Sequence, residues 1–221
     1  MQGKLDYTKE QPDLYLPKTE PKLIRVPSMF FIFVDGKGNP NDTDGEYAHA
    51  VQLLYALTFT IKMSKMGVNV PENYFEYTVP PLEGLWVQEG IKGFESAHKD
   101  KFIWTSMIRQ PEFVTSQVFE WACHEVSRKK PGLDAGKALF GSFEEGLCVQ
   151  AMHIGPYDTE PQTLAKMERF MEDNGLQCDI GSFLPDGGMR RHHEIYLGDP
   201  RKCKPEKLRT VLRHPVRRKE E

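Results

Sequence analysis

Apolar positions follow two periods along this chain, and the way those periods alternate predicts its elements. Met29-Phe-Phe-Ile-Phe-Val34 is a short continuous apolar run, expected to form a buried strand and stopped by the turn-rich Asp35-Gly36-Lys37-Gly38-Asn39-Pro40. Tyr47, Val51, Leu54, Tyr55, Thr58 and Ile61 then recur at helical spacing before Gly67, and Thr43 with Glu46 reads as a capping box. The same order returns later. Leu147 to Ile154 predicts a strand, Gly155-Pro156-Tyr157-Asp158 a turn, and Thr159 with Gln162 a second capping box; Leu164, Met167, Phe170 and Met171 continue as a helix that Asn174-Gly175 ends. Further strands are expected at Tyr74 to Val79, Leu85 to Gln88 and Phe102 to Arg109, and again at Ile180 to Leu184 and Arg191 to Gly198. A helix from Glu112 to Lys129 joins the halves, and the Gly-, Lys- and Pro-rich stretch from Lys130 to Gly141 reads as a loop.

This pattern predicts an α+β fold made of two strand-helix-strand-strand modules, at about 28–109 and 141–200, arranged as a pseudo-symmetric tandem repeat. Neither module can cover its sheet alone at this size. One domain spanning 1–221 is therefore expected, with an antiparallel sheet, helices on one face and a central ligand cleft where the copies meet. Residues 1–25, with several prolines and charges, read as an extended lead-in. The basic stretch from Lys202 to Lys219 reads as a solvated terminal segment.

Composition narrows the function classes. A chain of 221 residues with 39% hydrophobic positions can bury a sizeable core. Its formal net charge of -3 and pI of about 6.2 give no basic field, so neither nucleic acid nor an anionic membrane is an expected partner. No apolar run approaches membrane-spanning length and the N-terminus has no signal-peptide core, which points to a cytoplasmic protein. Cys123, Cys148, Cys178 and Cys203 are too scattered for a zinc ribbon, a CxxC redox site or a disulfide framework, and no cofactor is expected. The sequence carries no signal for an oligomeric state.

The most informative stretch is Arg190-Arg191-His192-His193-Glu194-Ile195-Tyr196-Leu197. Strand alternation sets His192, Glu194 and Tyr196 on one face and His193, Ile195 and Leu197 on the other. A carboxylate among apolar and aromatic neighbours is costly to bury unless it has partners or a task. The alternative is an exposed carboxylate on an edge strand, balanced by Arg190 or Arg191. A metal site of His192, His193 and His153 is disfavoured, because adjacent strand residues point to opposite faces. There is no Gly-x-Ser-x-Gly elbow, and Gly36-Lys37-Gly38 is too short for a Walker phosphate cradle.

His153-Ile154-Gly155-Pro156-Tyr157, together with His192-His193-Glu194-Ile195-Tyr196-Leu197-Gly198-Asp199-Pro200, resembles the GyrI-like (gyrase-inhibitor-like) small-molecule-binding family. Val34 to Pro40 and Val79-Pro80-Pro81-Leu82-Glu83-Gly84-Leu85-Trp86 resemble its stand-alone bacterial branch. The resemblance implies tandem modules around a cleft in which a late-strand glutamate, here Glu194, faces bound ligands. It also implies hydrolysis of cyclopropane-bearing alkylating compounds, with two alternatives: binding of hydrophobic cationic ligands without catalysis, or action as a protein partner that modulates an enzyme such as gyrase. The partners it implies are hydrophobic aromatic small molecules.

Such a hydrolase needs an apolar slot, a base near a water, and a donor for the oxygen that gains charge as the ring opens. Glu194 is the expected base and Tyr157 the expected catalytic donor, with Tyr77 as another candidate. Trp86, Trp104, Tyr55, Tyr77, Phe140 and Phe183 are candidate slot walls, joined by His192 and Tyr196 on the face of Glu194. Each of the aromatic walls could instead be an ordinary core residue, and Tyr157 could simply pack over the helix start.

Overall fold

The computed structural model describes residues 3–67, 70–89, 98–184 and 187–219. In chain order the elements are α1 (Tyr7–Glu10), α2 (Pro12–Tyr15), β1 (Lys22–Val26), β2 (Met29–Lys37), α3 (Glu46–Met63), β3 (Leu82–Gln88), β4 (Phe102–Arg109), α4 (Ser116–Lys129), β5 (Ala138–Phe143), β6 (Gly146–Ile154), α5 (Glu160–Asp173), β7 (Leu176–Cys178), β8 (His192–Tyr196) and β9 (Arg209–Arg218). The fold is α+β, with antiparallel strand pairing and packed helices. Among the described residues, no helix is long and apolar enough to cross a membrane.

The chain divides into two compact units. Unit 1 comprises 1–10, 29–82 and 88–143; unit 2 comprises 11–28, 83–87 and 144–221. In unit 1, β2 pairs with β4 on one side and β5 on the other, and α3 and α4 pack together with α3 against the sheet. Leu53, Leu54, Leu57 and Ile61 of α3 are buried, as are Phe31, Ile32 and Val34 of β2, each worth about 1.5–3 kcal/mol when removed from water. Gly36 is obligatory in this packing: a Cβ there would stand 2.2 Å from the Trp104 ring.

Unit 2 has the strand order β1-β6-β9-β8-β3, with β7 also on β9. Val149, Ala151, Met167, Met171, Leu176, Leu212 and Val216 form its core, so α5 covers one face. On the other face, carbonyls of the N-terminal segment meet Gln150 and Arg213. In both units the strand before the long helix pairs antiparallel with a later one, β2 with β4 and β6 with β9.

Several expected elements differ. The basic C-terminal stretch is not a solvated tail: β9 lies inside the unit 2 sheet, and Thr210 to Val216 are buried. Its Pro215, which lacks an N–H, falls where β9 passes from β8 (paired at 210–213) to β7 (paired at 216–218). Nor is the N-terminal region only a lead-in, since β1 pairs with β6 and Tyr7 and Tyr15 are buried. Neither capping box forms. Gly45 is the N-cap of α3, and Glu46 opens that helix by facing the Lys37 N–H and pairing with Lys137. Thr159 precedes α5 without capping it, because its hydroxyl donates to the Pro156 carbonyl at 2.7 Å. Tyr74 to Val79 is extended with a single bridge, Leu5 to Tyr77, and Ile180 to Leu184 likewise has only Phe183 to Met189. The expected loop from Lys130 to Gly141 runs into β5, and α4 starts at Ser116, where the Thr115 hydroxyl accepts the Val118 N–H.

Candidate active site

Register fixes which side chains share a face. His193 pairs with Arg213 and Glu194 with Leu212, and Ala151 stands opposite Leu212 in the next strand. Glu194 therefore faces the α5 side with His192 and Tyr196, while His193 faces the other side with Arg213. The expected alternation of β8 is observed.

On the α5 side, Glu194 is only 7% exposed. It lies on an inner strand between β9 and β3, not an edge, and Arg190 is engaged elsewhere by Asp179 at 3.0 Å. Its partner is His192, whose Nε2 stands 3.0 Å from Glu194 Oε1. His192 Nδ1 is in turn 2.8 Å from Nε2 of His214. Both ring nitrogens of His192 are thus occupied, which makes this residue an orienter of Glu194 and leaves it no nitrogen to offer a ligand. Burial, then the neighbouring His192, push the His214 imidazole down to about 3, so it stays neutral.

Around this carboxylate stand the aromatic and acidic groups of β3, β8 and the start of α5. Trp86 donates its indole N–H to the Tyr196 hydroxyl at 2.9 Å. Gly84 makes room for this contact: a Cβ there would stand 2.6 Å from Trp86 Nε1 and 3.2 Å from the Tyr196 hydroxyl. The Tyr157 ring meets Tyr196 edge-on with centroids 6.0 Å apart. Burial, then the charges of Glu194, Glu160 and Asp199, push the Tyr157 hydroxyl up to about 12, so it remains a donor at neutral pH. Glu160, the first residue of α5, is 4% exposed and its Oε1 has no hydrogen-bond partner. Burial, then Glu194 and Asp158, raise the Glu160 carboxyl to about 10, which keeps it protonated. His153 ties this end of α5 to β6, with Nδ1 2.9 Å from the Thr163 hydroxyl and Nε2 3.1 Å from the Pro156 carbonyl.

The opposite face of β8 holds a buried ionic cluster. His193 stands between Glu83 on β3 and Glu145, at 3.0 Å from each. Arg213 donates to Glu145 Oε2 and to the Gln150 side-chain amide oxygen, both at 3.0 Å, and to the Leu14 backbone carbonyl at 2.8 Å. Burial alone would lower His193, but Glu145 and Glu83 outweigh it and hold the ring at about 9. Burial alone would raise Glu145, but His193 and Arg213 outweigh it and hold the carboxyl at about 2. His192 and His193 thus serve opposite faces, and among the described residues no group of histidines, cysteines and carboxylates is arranged to hold a metal.

Of the residues expected from the sequence, unit 2 gathers Glu194, His192, Tyr196, Trp86 and Tyr157. Phe183 also belongs to unit 2 but is 70% exposed on the loop between β7 and β8. Trp104, Tyr55, Tyr77 and Phe140 belong to unit 1. There Trp104 is fully buried against Tyr47, Tyr55 stacks on Phe59, and Phe140 stacks between Phe30 and Phe119. Tyr77, the other expected donor, is fully buried against Phe113, and its hydroxyl has no hydrogen-bond partner. The sequence reading missed Glu160, Glu83, Glu145, Arg213 and His214. Only Glu83 and Glu160 carried a local signal, as carboxylates beside turn and strand motifs that were themselves informative.

Similar proteins are found among solved structures. A hydrolase from Listeria innocua is 47% identical over 97% of this chain and 100% of its own, with a TM-score of 0.85. An uncharacterized conserved protein from the same organism is 49% identical over 97% of this chain and 100% of its own, with a TM-score of 0.89. The EcmrR C-terminal domain, 14% identical over 90% of this chain and 98% of its own with a TM-score of 0.51, shares the fold alone. No match is found among curated proteins. The family model of the GyrI-like small molecule binding domain matches residues 19–217, the span that carries the β8 carboxylate, its histidines and the flanking aromatics. The chain belongs to the GyrI-like small-molecule-binding family.

Proposed function

We propose that this protein binds flat, hydrophobic aromatic molecules and hydrolyses those that carry a strained cyclopropane ring, with Glu194 as the base. The observation that carries this reading is a buried carboxylate fixed through one oxygen by His192, on the same sheet face as Trp86 and Tyr196, against which the Tyr157 ring packs. Among the described residues no hydrogen bond reaches Glu194 Oε2, which is left to accept a proton. In the reaction a water oxygen bonds to the ring CH2 as a carbon–carbon bond breaks. The electron pair of that bond moves through the conjugated system to the substrate's carbonyl oxygen. Glu194 takes the water proton, a contribution of about 10²–10⁴-fold, and Tyr157 or Glu160 supplies the proton to the new oxyanion. Relatives at 47% and 49% identity described as hydrolases support the class of activity.

A second reading uses the same groups without chemistry. Glu194, Asp158 and Asp199 beside aromatic rings suit a cationic aromatic ligand held as a sink or effector. The test incubates the protein and its Glu194→Gln variant with a cyclopropane-containing DNA-alkylating compound and follows products by mass spectrometry. Catalytic formation of a water adduct, reduced at least about 100-fold in the variant, supports hydrolysis. Stoichiometric retention of intact compound by both proteins establishes the binding reading.

A further inference from the structure

His214 lies outside the groups expected to touch substrate, yet its ring is aimed at the residue that holds Glu194. The register aligns β9 so that His214 and His192 stand on the α5 side, with ring centroids 4.9 Å apart and planes at 83°. Only one hydrogen fits on the 2.8 Å line between His214 Nε2 and His192 Nδ1. Two partners decide where that hydrogen sits. At the far end of the chain, Glu194 Oε1 accepts at 3.0 Å from His192 Nε2, so the His192 hydrogen belongs on Nε2 and its Nδ1 is an acceptor. At the near end, His214 Nδ1 is buried without a partner, so a hydrogen placed there would have no acceptor, whereas one on Nε2 has His192.

We propose that His214 is a positioning residue for Glu194: by donating Nε2–H to His192 Nδ1 it holds His192 in the Nε2–H tautomer, which bonds Oε1 and leaves Oε2 as the working oxygen. The neutral state that burial imposes on His214 is consistent with this, since a neutral ring carries one hydrogen to give. Without the donor, His192 can place its hydrogen on Nδ1. Its Nε2 lone pair then faces the carboxylate oxygen, and Glu194 loses both its hydrogen bond and its orientation. Tautomer control of this kind is what the third member of a hydrolytic triad supplies.

The inference rests on Glu194 being the working carboxylate, and its test has a readout that does not need turnover. Two variants separate a donor from a space filler. In His214→Gln the amide places an N–H at the reach of the imidazole Nε2, while His214→Met has similar length and no donor. Long-range proton–nitrogen correlation spectra of 15N-labelled protein report the His192 tautomer. The wild type and His214→Gln should show the Nε2–H form, and His214→Met should lose it. With a cyclopropane-containing alkylating compound as probe, His214→Met should lower kcat by roughly 10-fold or more with KM little changed, and His214→Gln should restore most of that loss. An unchanged His192 tautomer in His214→Met would overturn the proposal. So would equal loss in both variants, which is what a purely structural role predicts. If the wild type turns nothing over, the hydrolase reading fails while the tautomer spectra still decide the role of His214.

Discussion

Replacing Glu160 with glutamine should stabilise the protein at neutral pH, and by an amount that the site itself sets. In the folded chain the carboxyl is held protonated, at about 10, whereas the unfolded chain releases its proton near 4.5. Between those values the unfolded state binds fewer protons, so stability is complete below 4.5 and falls as pH rises toward 10. At pH 7 the penalty is the distance from 4.5, which at about 1.36 kcal/mol per pH unit comes to roughly 3 kcal/mol. Glutamine keeps the shape and removes the titration. Its amide brings a hydrogen that needs a partner beside an oxygen that has none, a cost of about 1 kcal/mol, leaving a net gain of roughly 2 kcal/mol at pH 7. Urea denaturation of both proteins at pH 5, 7 and 8.5 measures this. The gain should be near zero or slightly negative at pH 5 and should grow steadily with pH. The His193 contribution, present below 6.5 and lost as pH rises through about 9, is common to both proteins and cancels in the difference. A difference that stays constant across the three pH values would refute a buried, protonated Glu160.

Three further outcomes follow from the same geometry. Arg213→Met strips Glu145 of its fixed cation and leaves the Leu14 carbonyl and the Gln150 side-chain amide oxygen without their donor, so urea denaturation should show a loss of about 3–5 kcal/mol; a loss under about 1 kcal/mol would count against the cluster. Gly84→Ala puts a methyl group against the Trp86 indole and should cost about 1–3 kcal/mol while shifting the Trp86 emission, read in a background where the other two tryptophans are phenylalanine. Unchanged emission would mean that the indole is not held as described. Tyr157→Phe should slow hydrolysis of a cyclopropane-containing probe by about 10-fold if its hydroxyl is the donor, and full retention of rate would move that role to Glu160.

How much of this was legible in the sequence depended on whether the stabilising partner was local. The strand Phe102–Arg109 and the helices around Leu54 and Met167 were visible because their apolar spacing is set by their own residues. The face of Glu194 followed from alternation alone. Arg209 to Arg218 was misjudged because four arginines, a histidine and a proline resemble a solvated run. What buries Arg213 is a glutamate, a glutamine and the carbonyl of Leu14, the last 199 positions away in sequence. No local pattern records such a partner. His214 and Glu160 were hidden for the same reason, since each acquires its role only when β8 is laid against β9 and α5.

The two faces of β8 also explain why adjacent histidines can serve such different ends. His193 is gripped by Glu83 and Glu145, and Arg213 of β9 holds Glu145, so charge contacts tie β8 to both of its neighbours in the sheet. Buried ion pairs contribute little net stability, but a displaced pair is expensive, and that asymmetry favours one register. Slipping β8 by a single residue would turn His193 toward α5, leave Glu83, Glu145 and Arg213 without their shared partner, and rotate Glu194 away from His214, Trp86 and Tyr157. The charged face thereby specifies the orientation of the opposite face, where one oxygen of the Glu194 carboxylate stands 3.0 Å from His192 Nε2.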